Sequence, residues 1–243
     1  MRRYSRGEAG TTIVEIAVGL AVGALLVAGI LTLVEQSQKA YMHTSEVTDL
    51  QQNVRVAMDR IVRLVQAAGV NPKNKTWGGA TPNDPAFTAF REAGRNCIRV
   101  YADLDGDGAV TSTDENVFFF WSGSPSTGSP ITETRGTVGG QPDAGQVWVA
   151  TSALGAQELA RDIIANPSGA DMFQYFTGPN DPGGAPDTQI VPPALSTTTC
   201  ATIPSASRTR VSRVVITITG RATIGGEVVT KTLTSEARAR NVP

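Results

Sequence analysis

The chain has 243 residues, 21 basic and 22 acidic, for a net charge of −1. That length allows a domain with a sizeable core, and the near-neutral balance without a basic patch argues against nucleic acid as a partner.

The first element is set by the N-terminal 34 residues. Arg2, Arg3 and Arg6 form a short basic head that ends at Gly10, and no charge occurs from Ile16 to Val34, a run of 19 residues. At ~1.5 Å per residue the run rises ~28 Å, close to the ~30 Å hydrocarbon core of a bilayer. The arginines would keep its N-terminus in the cytoplasm. One acid, Glu15, sits at its lip, five residues after Gly10, where a carboxylate is costly and needs a reason. A cleaved secretory signal fits poorly, since the apolar run is long and no small-x-small site follows it. A plain membrane anchor accounts for the run but not for Gly10 and Glu15. Gly19 and Gly23 form a GxxxG spacing, which can let helices approach closely in a membrane.

The apolar pattern continues past the membrane-length segment. Val47, Leu50, Val54, Ala57, Met58, Ile61, Leu64, Val65 and Ala68 recur at spacings of three and four, one face of a helix. No proline lies between Thr11 and Pro72, and Gly69 with Pro72 makes a stop. The spacing predicts one helix over about 12–68, with its second half packed under a globular head.

Beyond the helix, 97–102 (CIRVYA), 117–121 (VFFFW), 146–151 (QVWVAT) and 171–176 (DMFQYF) read as strands. The segment 122–130 (SGSPSTGSP) reads as an exposed loop and 177–193 as a second loop rich in Gly, Pro and Asp. The clearest strands are 211–219 and 227–237, rich in Val, Ile and Thr, with a turn at Gly225-Gly226. Helix and strands together predict an α+β protein whose antiparallel sheet packs on the helix.

One motif between the first two strands carries chemistry. Residues 103–114 read DLDGDGAVTSTD. Aligned with a twelve-residue calcium loop, Asp103, Asp105 and Asp107 take positions one, three and five, and Gly108 falls at six, where the turn requires glycine. Ala109 offers its carbonyl at seven, Thr111 stands at nine and Asp114 at twelve, with Glu115 next to it. Three carboxylates two residues apart repel one another without a cation, and an oxygen-only donor set favours Ca²⁺ over a transition metal. Asp at position twelve is similar to the dockerin form of the loop. The competing reading is an acidic turn. Signals of catalysis are missing: no GxSxG, HExxH or P-loop occurs, and His43, the one histidine, lies on the helix. A non-enzymatic protein is expected.

The order of basic head, Gly10, four residues, Glu15 and apolar helix resembles the class III signal of type IV prepilins. The stretch DLQQNVRVAMDRIVRLVQAAG resembles the corresponding helix of PilW-like minor pilins, 156–164 resembles a segment that precedes a strand in them and in J-type pseudopilins, and ARARN resembles their ending. The resemblance is strong over the helix and weak elsewhere. It departs in having Thr11, not Phe or Met, after Gly10, and in lacking a mid-helix proline.

The resemblance implies a pilin-like ladle: a leader over 1–10, a long helix over 11–69 that spans the membrane at about 13–34, and a β-rich head over 70–243. A prepilin peptidase would cut between Gly10 and Thr11, and Thr11 would be N-methylated. Glu15 would then pair with the N-terminal amine of a neighbouring subunit, so that each charge offsets the burial cost of the other. The chain would sit in the inner membrane with its head in the periplasm and later in a cell-surface pilus. Its partners would be other minor pilins and the major pilin. An exported head folds in an oxidising space, so Cys97 and Cys200 are expected to bond. Two other functions remain open: a minor pseudopilin of type II secretion, which shares leader and helix, and a membrane-anchored calcium-binding surface adhesin.

Overall fold

The computed structural model describes residues 12–70, 89–106, 115–123, 128–135, 157–178, 187–194 and 200–239. The helix α1 runs Ile13–Ala67, 55 residues, or ~82 Å at ~1.5 Å each. Thr12 caps it: its Oγ1 accepts from the Glu15 N–H at 3.3 Å, and its carbonyl accepts from Ile16 at 3.2 Å. The chain divides into two compact units, Met1–Glu46 and Val47–Pro243.

In the first unit the helix carries its apolar side chains exposed, from Ile13 (86%) through Leu25 (74%) to Val34 (45%). In the second unit Leu50, Val54, Ala57, Met58, Ile61, Leu64, Val65 and Ala68 are buried, as the three-and-four spacing requires, and Val47 is half-buried.

The partner of that stripe is a nine-stranded sheet, antiparallel at every pairing. Its strands are β1 (Phe90–Ala93), β2 (Cys97–Tyr101), β3 (Asn116–Trp121), β4 (Ser129–Arg135), β5 (Gln157–Ile164), β6 (Phe173–Thr177), β7 (Gln189–Ile190), β8 (Val211–Ile224) and β9 (Glu227–Arg238). The spatial order is β1-β2-β3-β4-β5-β8-β6-β7, with β9 along the other side of β8. A one-turn helix α2 (Ser205–Arg208) precedes β8. Alternate residues of each strand, among them Ile98, Phe119, Ile131, Ile163, Phe173, Ile216 and Ile218, meet the helix stripe in one core. Gly220 lets helix and sheet approach: a Cβ there would lie 2.7 Å from Leu50 Cδ1 and from Val54 Cγ2.

Two polar fastenings flank the core. Glu133 on β4, nearly buried, accepts from Arg60 of α1 at 3.1 and 2.9 Å and from Arg135 at 2.7 Å. Burial alone would raise its carboxyl, but the hydrogen bonds from Arg60 and Arg135 hold it below the usual carboxylate value. On the outer face of β2 and β3, Cys97 and Cys200 are joined by a disulfide, with Cα atoms 5.7 Å apart across 103 residues. The bridge packs on Phe118 and Phe120. Closing a loop of that length contributes on the order of 4 kcal/mol in the chain-entropy account. Beside it the fully buried Tyr175 hydroxyl lies 2.9 Å from the Gly94 carbonyl and 3.0 Å from that of Cys97, tying β6 to the turn before β2.

Several elements differ from the sequence expectation. Residues 157–164 form β5 itself, where a segment preceding a strand was expected. The stretch 122–130 gives its last two residues to β4, and 177–193 contains β7. β1 and β4 had no strand signal: REA breaks alternation with charges and SPITETR contains proline, so only pairing with β2 and β3 defines them. β8 extends five residues past Thr219 because β9 matches it residue for residue to the turn. The strand expected at 146–151 lies outside the described residues.

Candidate functional site

Two features of the sequence carry functional expectation, and the structure describes part of each. Gly10 and Thr11 lie outside the described residues, whereas Glu15 stands in the first turn of α1. There its backbone N–H bonds to the Thr12 hydroxyl, the helix cap, which is one of the two bonds of a capping box. An acid in the first turn also complements the helix dipole. The cap was legible in the sequence as a Thr just before the helical run. Downstream of it, α1 is long and apolar enough to cross a membrane, and it is the one such helix among the described residues.

The second feature is built by the β2–β3 pair. Tyr101 pairs with Asn116, and one step outward the Ala102 N–H donates to the Glu115 carbonyl at 3.0 Å. That pairing brings Asp103, just after β2, beside Glu115, just before β3. The Asp103 N–H donates to the Val70 carbonyl at 2.8 Å, which ties the site to the end of α1. Carboxylate oxygens of Asp103, Asp105 and Glu115 lie within 4.8 Å of one another, so the triad could hold a metal ion. Asp103 and Glu115 are buried and Asp105 is exposed.

Backbone amides orient the carboxylates. Glu115 Oε1 accepts from Leu104 at 2.9 Å and Asp105 at 3.3 Å, and Asp103 Oδ1 accepts from Gly106 at 2.7 Å. Gly106 has φ 75°, a left-handed conformation suited to glycine. Asp107, Ala109, Thr111 and Asp114 lie outside the described residues. The loop alignment placed the closing carboxylate at Asp114; the structure brings its neighbour Glu115 into the cluster, because strand pairing fixes that residue at the base of the loop. His43 is exposed on α1.

A second charged group lies on β1 and β2. Arg99 bonds to Glu92 at 3.2 Å and to Asn116 Oδ1 at 3.0 Å, and its guanidinium lies 4.6 Å from the centre of the Phe118 ring. Burial raises the Glu92 carboxyl despite the lowering pull of Arg99.

No protein-family model, curated protein or solved structure matches this chain. Fold and site therefore stand on their own geometry: an α+β protein with one apolar helix of membrane-spanning length, a disulfide and an acidic triad.

Proposed function

We propose that the chain is a PilW-like minor subunit of a type IV pilus, made as a prepilin and held in the inner membrane before it helps to start assembly. The observation that carries this reading is the uncharged, exposed run from Ile16 to Val34, in the same helix whose later residues are buried. Apolar surface on that scale marks a segment that is covered by something outside the chain. A bilayer covers it before assembly and neighbouring helices cover it afterwards. The basic head, Gly10 and Glu15 supply the processing and pairing chemistry of the resemblance. The role is structural, with a ladle-shaped subunit presenting its head at the pilus tip and Ca²⁺ held by Asp103, Asp105 and Glu115.

Mass spectrometry of envelope fractions tests processing. The expected N-terminus is Thr11, methylated; residues 1–10 intact in assembled material would overturn the proposal.

One observation favours a second reading, a plainly anchored calcium-binding surface protein: Glu15 stands in the first turn of α1, where its charge complements the helix dipole without a partner amine. Glu15→Gln separates the two. Glutamine keeps the backbone bond to Thr12 and a similar helix propensity but carries no charge, so a pilus subunit loses incorporation while an anchored protein behaves close to wild type. The ion is tested by melting the full chain in detergent. Millimolar Ca²⁺ should raise the melting temperature over chelator by mass action, Mg²⁺ should do so poorly because it demands a tighter shell, and Asp103→Ala with Glu115→Gln should abolish the difference.

A further inference from the structure

At one end of the sheet, where β3 and β5 finish and β6 begins, the chain encloses a cavity of about 100 Å³. Arg95 of the β1–β2 turn, Trp121 of β3, Ala170, Asp171 and Met172 before β6, and Thr217 of β8 line it. The lining is graded. Trp121, Met172 and Thr217 are buried and form the floor, whereas the Arg95 and Asp171 side chains, 30% and 19% exposed, stand at the mouth.

The polar atoms of the floor are engaged. Trp121 Nε1 donates to the Ile163 carbonyl at 3.1 Å, the Met172 carbonyl accepts from the Thr217 N–H at 2.8 Å, and the Thr217 hydroxyl lies 3.3 Å from that of Thr234. The mouth is different. Arg95 is pinned by its Nε, which donates to the Pro193 carbonyl at 2.8 Å and the Pro192 carbonyl at 3.3 Å, and its Nη1 meets Asp171 Oδ1 at 3.3 Å. Arg95 Nη2 and Asp171 Oδ2 have no hydrogen-bond partner among the described residues. The mouth therefore offers a donor and an acceptor side by side, on a pair with no net charge.

We propose that this cavity binds the acetamido group of an N-acetylated sugar. Size, charge and grading select the group. An apolar cavity of ~150 Å³ takes the six carbons of benzene, so one of ~100 Å³ takes about four non-hydrogen atoms, the number in an acetamido group. The balanced ion pair disfavours a carboxylate or an ammonium, each of which would lose water beside a like charge. It suits a neutral group that both accepts and donates. An acetamido group has its methyl at the tip and its amide leading back to the rest of the molecule. The methyl reaches the floor against Trp121 and Met172, the carbonyl accepts from Arg95 Nη2, and the N–H donates to Asp171 Oδ2. A glutamine or asparagine side chain has its amide at the tip and would strand polar atoms on the floor. The rim points to a sugar. Asn166 lines the cavity, its Oδ1 accepts from the Ser168 N–H at 3.0 Å, and its amide donors have no partner among the described residues. Ser168 beside it is exposed. These groups match ring hydroxyls, where an acetylated lysine would bring only methylenes. The site does not depend on the chain being a pilus subunit.

The test is saturation-transfer NMR on the full chain in a sugar-free detergent, with N-acetylglucosamine as the probe. So few buried atoms limit affinity, and a Kd of about 1 mM is expected. The acetyl methyl protons should receive the largest saturation, and glucose should receive none. N-butanoylglucosamine, two carbons longer, should bind at least about tenfold more weakly, because the floor is closed. Ala170→Leu, which fills the cavity, should weaken N-acetylglucosamine by about the same factor with an unchanged thermal transition. The acyl series leaves the protein untouched, so it tests the cavity even where Ala170→Leu fails to fold. No transfer to the methyl, equal saturation over the ring, binding of glucose, equal affinity for the butanoyl sugar, or full binding by folded Ala170→Leu would each overturn the proposal. Tighter binding of Nε-acetyllysine than of the sugar would overturn the choice of a sugar and assign the site to acetylated peptides.

Discussion

Residues 13–34 and 47–67 lie in one helix, but their apolar side chains are disposed in opposite ways. In the first stretch apolar residues occur all round, and their side chains are exposed from Ile13 to Val34. In the second they fall on one stripe, and that stripe is buried against the sheet. A helix apolar all round belongs in a membrane or among other helices, whereas an amphipathic one belongs on the surface of its own domain. The difference separates residues that stabilise this chain's own fold from residues whose burial must come from elsewhere. The glycines follow the same division. A Cβ at Gly19, Gly23 or Gly29 meets nothing within 4 Å, while at Gly220 it meets Leu50 and Val54.

Truncation should give the largest contrast. Ile61→Ala opens a cavity at a fully buried position and should cost about 2–5 kcal/mol, read from thermal unfolding of the head in detergent by near-ultraviolet circular dichroism. Leu25→Ala should leave that transition in place. A shift at Leu25 as large as at Ile61 would erase the division.

Glycine substitution sharpens the comparison at smaller amplitude. Gly220→Ala should destabilise the head by about 1–3 kcal/mol, since two side chains of α1 must move to admit the methyl group. Gly23→Ala should leave head stability unchanged or slightly improve helix formation. Equal effects at the two positions would show that helix and sheet do not meet at Gly220 as closely as described.

The smallest effect concerns acid. Glu133 has a lowered pKa in the folded state, because the hydrogen bonds from Arg60 and Arg135 outweigh its desolvation. A lowered folded value contributes stability above the unfolded carboxylate pKa of about 4.3, and that stability is lost as pH falls through the folded value. Wild type should therefore lose stability faster than Glu133→Gln below about pH 4.3, as measured by urea midpoints across pH. Parallel curves for the two proteins would mean that the Arg60–Glu133 contact between α1 and β4 carries no net charge energy.

The acidic loop shows how far local sequence reaches. Asp103 and Asp105 were legible from the DxDxDG spacing, because calcium loops encode their ligands at fixed offsets. Glu115 entered only through the pairing of Tyr101 with Asn116. The Thr12 cap was present in the sequence as a Thr just before the helical run, and it bonds the backbone of Glu15, so it places no demand on that side chain.

By itself the sequence determined the single long helix, its apolar first half and striped second half, the β8–β9 hairpin and the presence of one cysteine pair. Each depends on local spacing: a 3.6-residue period, alternation in Val/Ile/Thr-rich runs, a Gly-Gly turn, or a count. The tertiary structure alone decided β1, β4 and β5, the burial of Glu133 and the close approach at Gly220. Those features come from contacts between residues far apart in the chain, where pairing overrides weak or contrary strand signals and a neighbour's position, not the residue's own type, sets the physics.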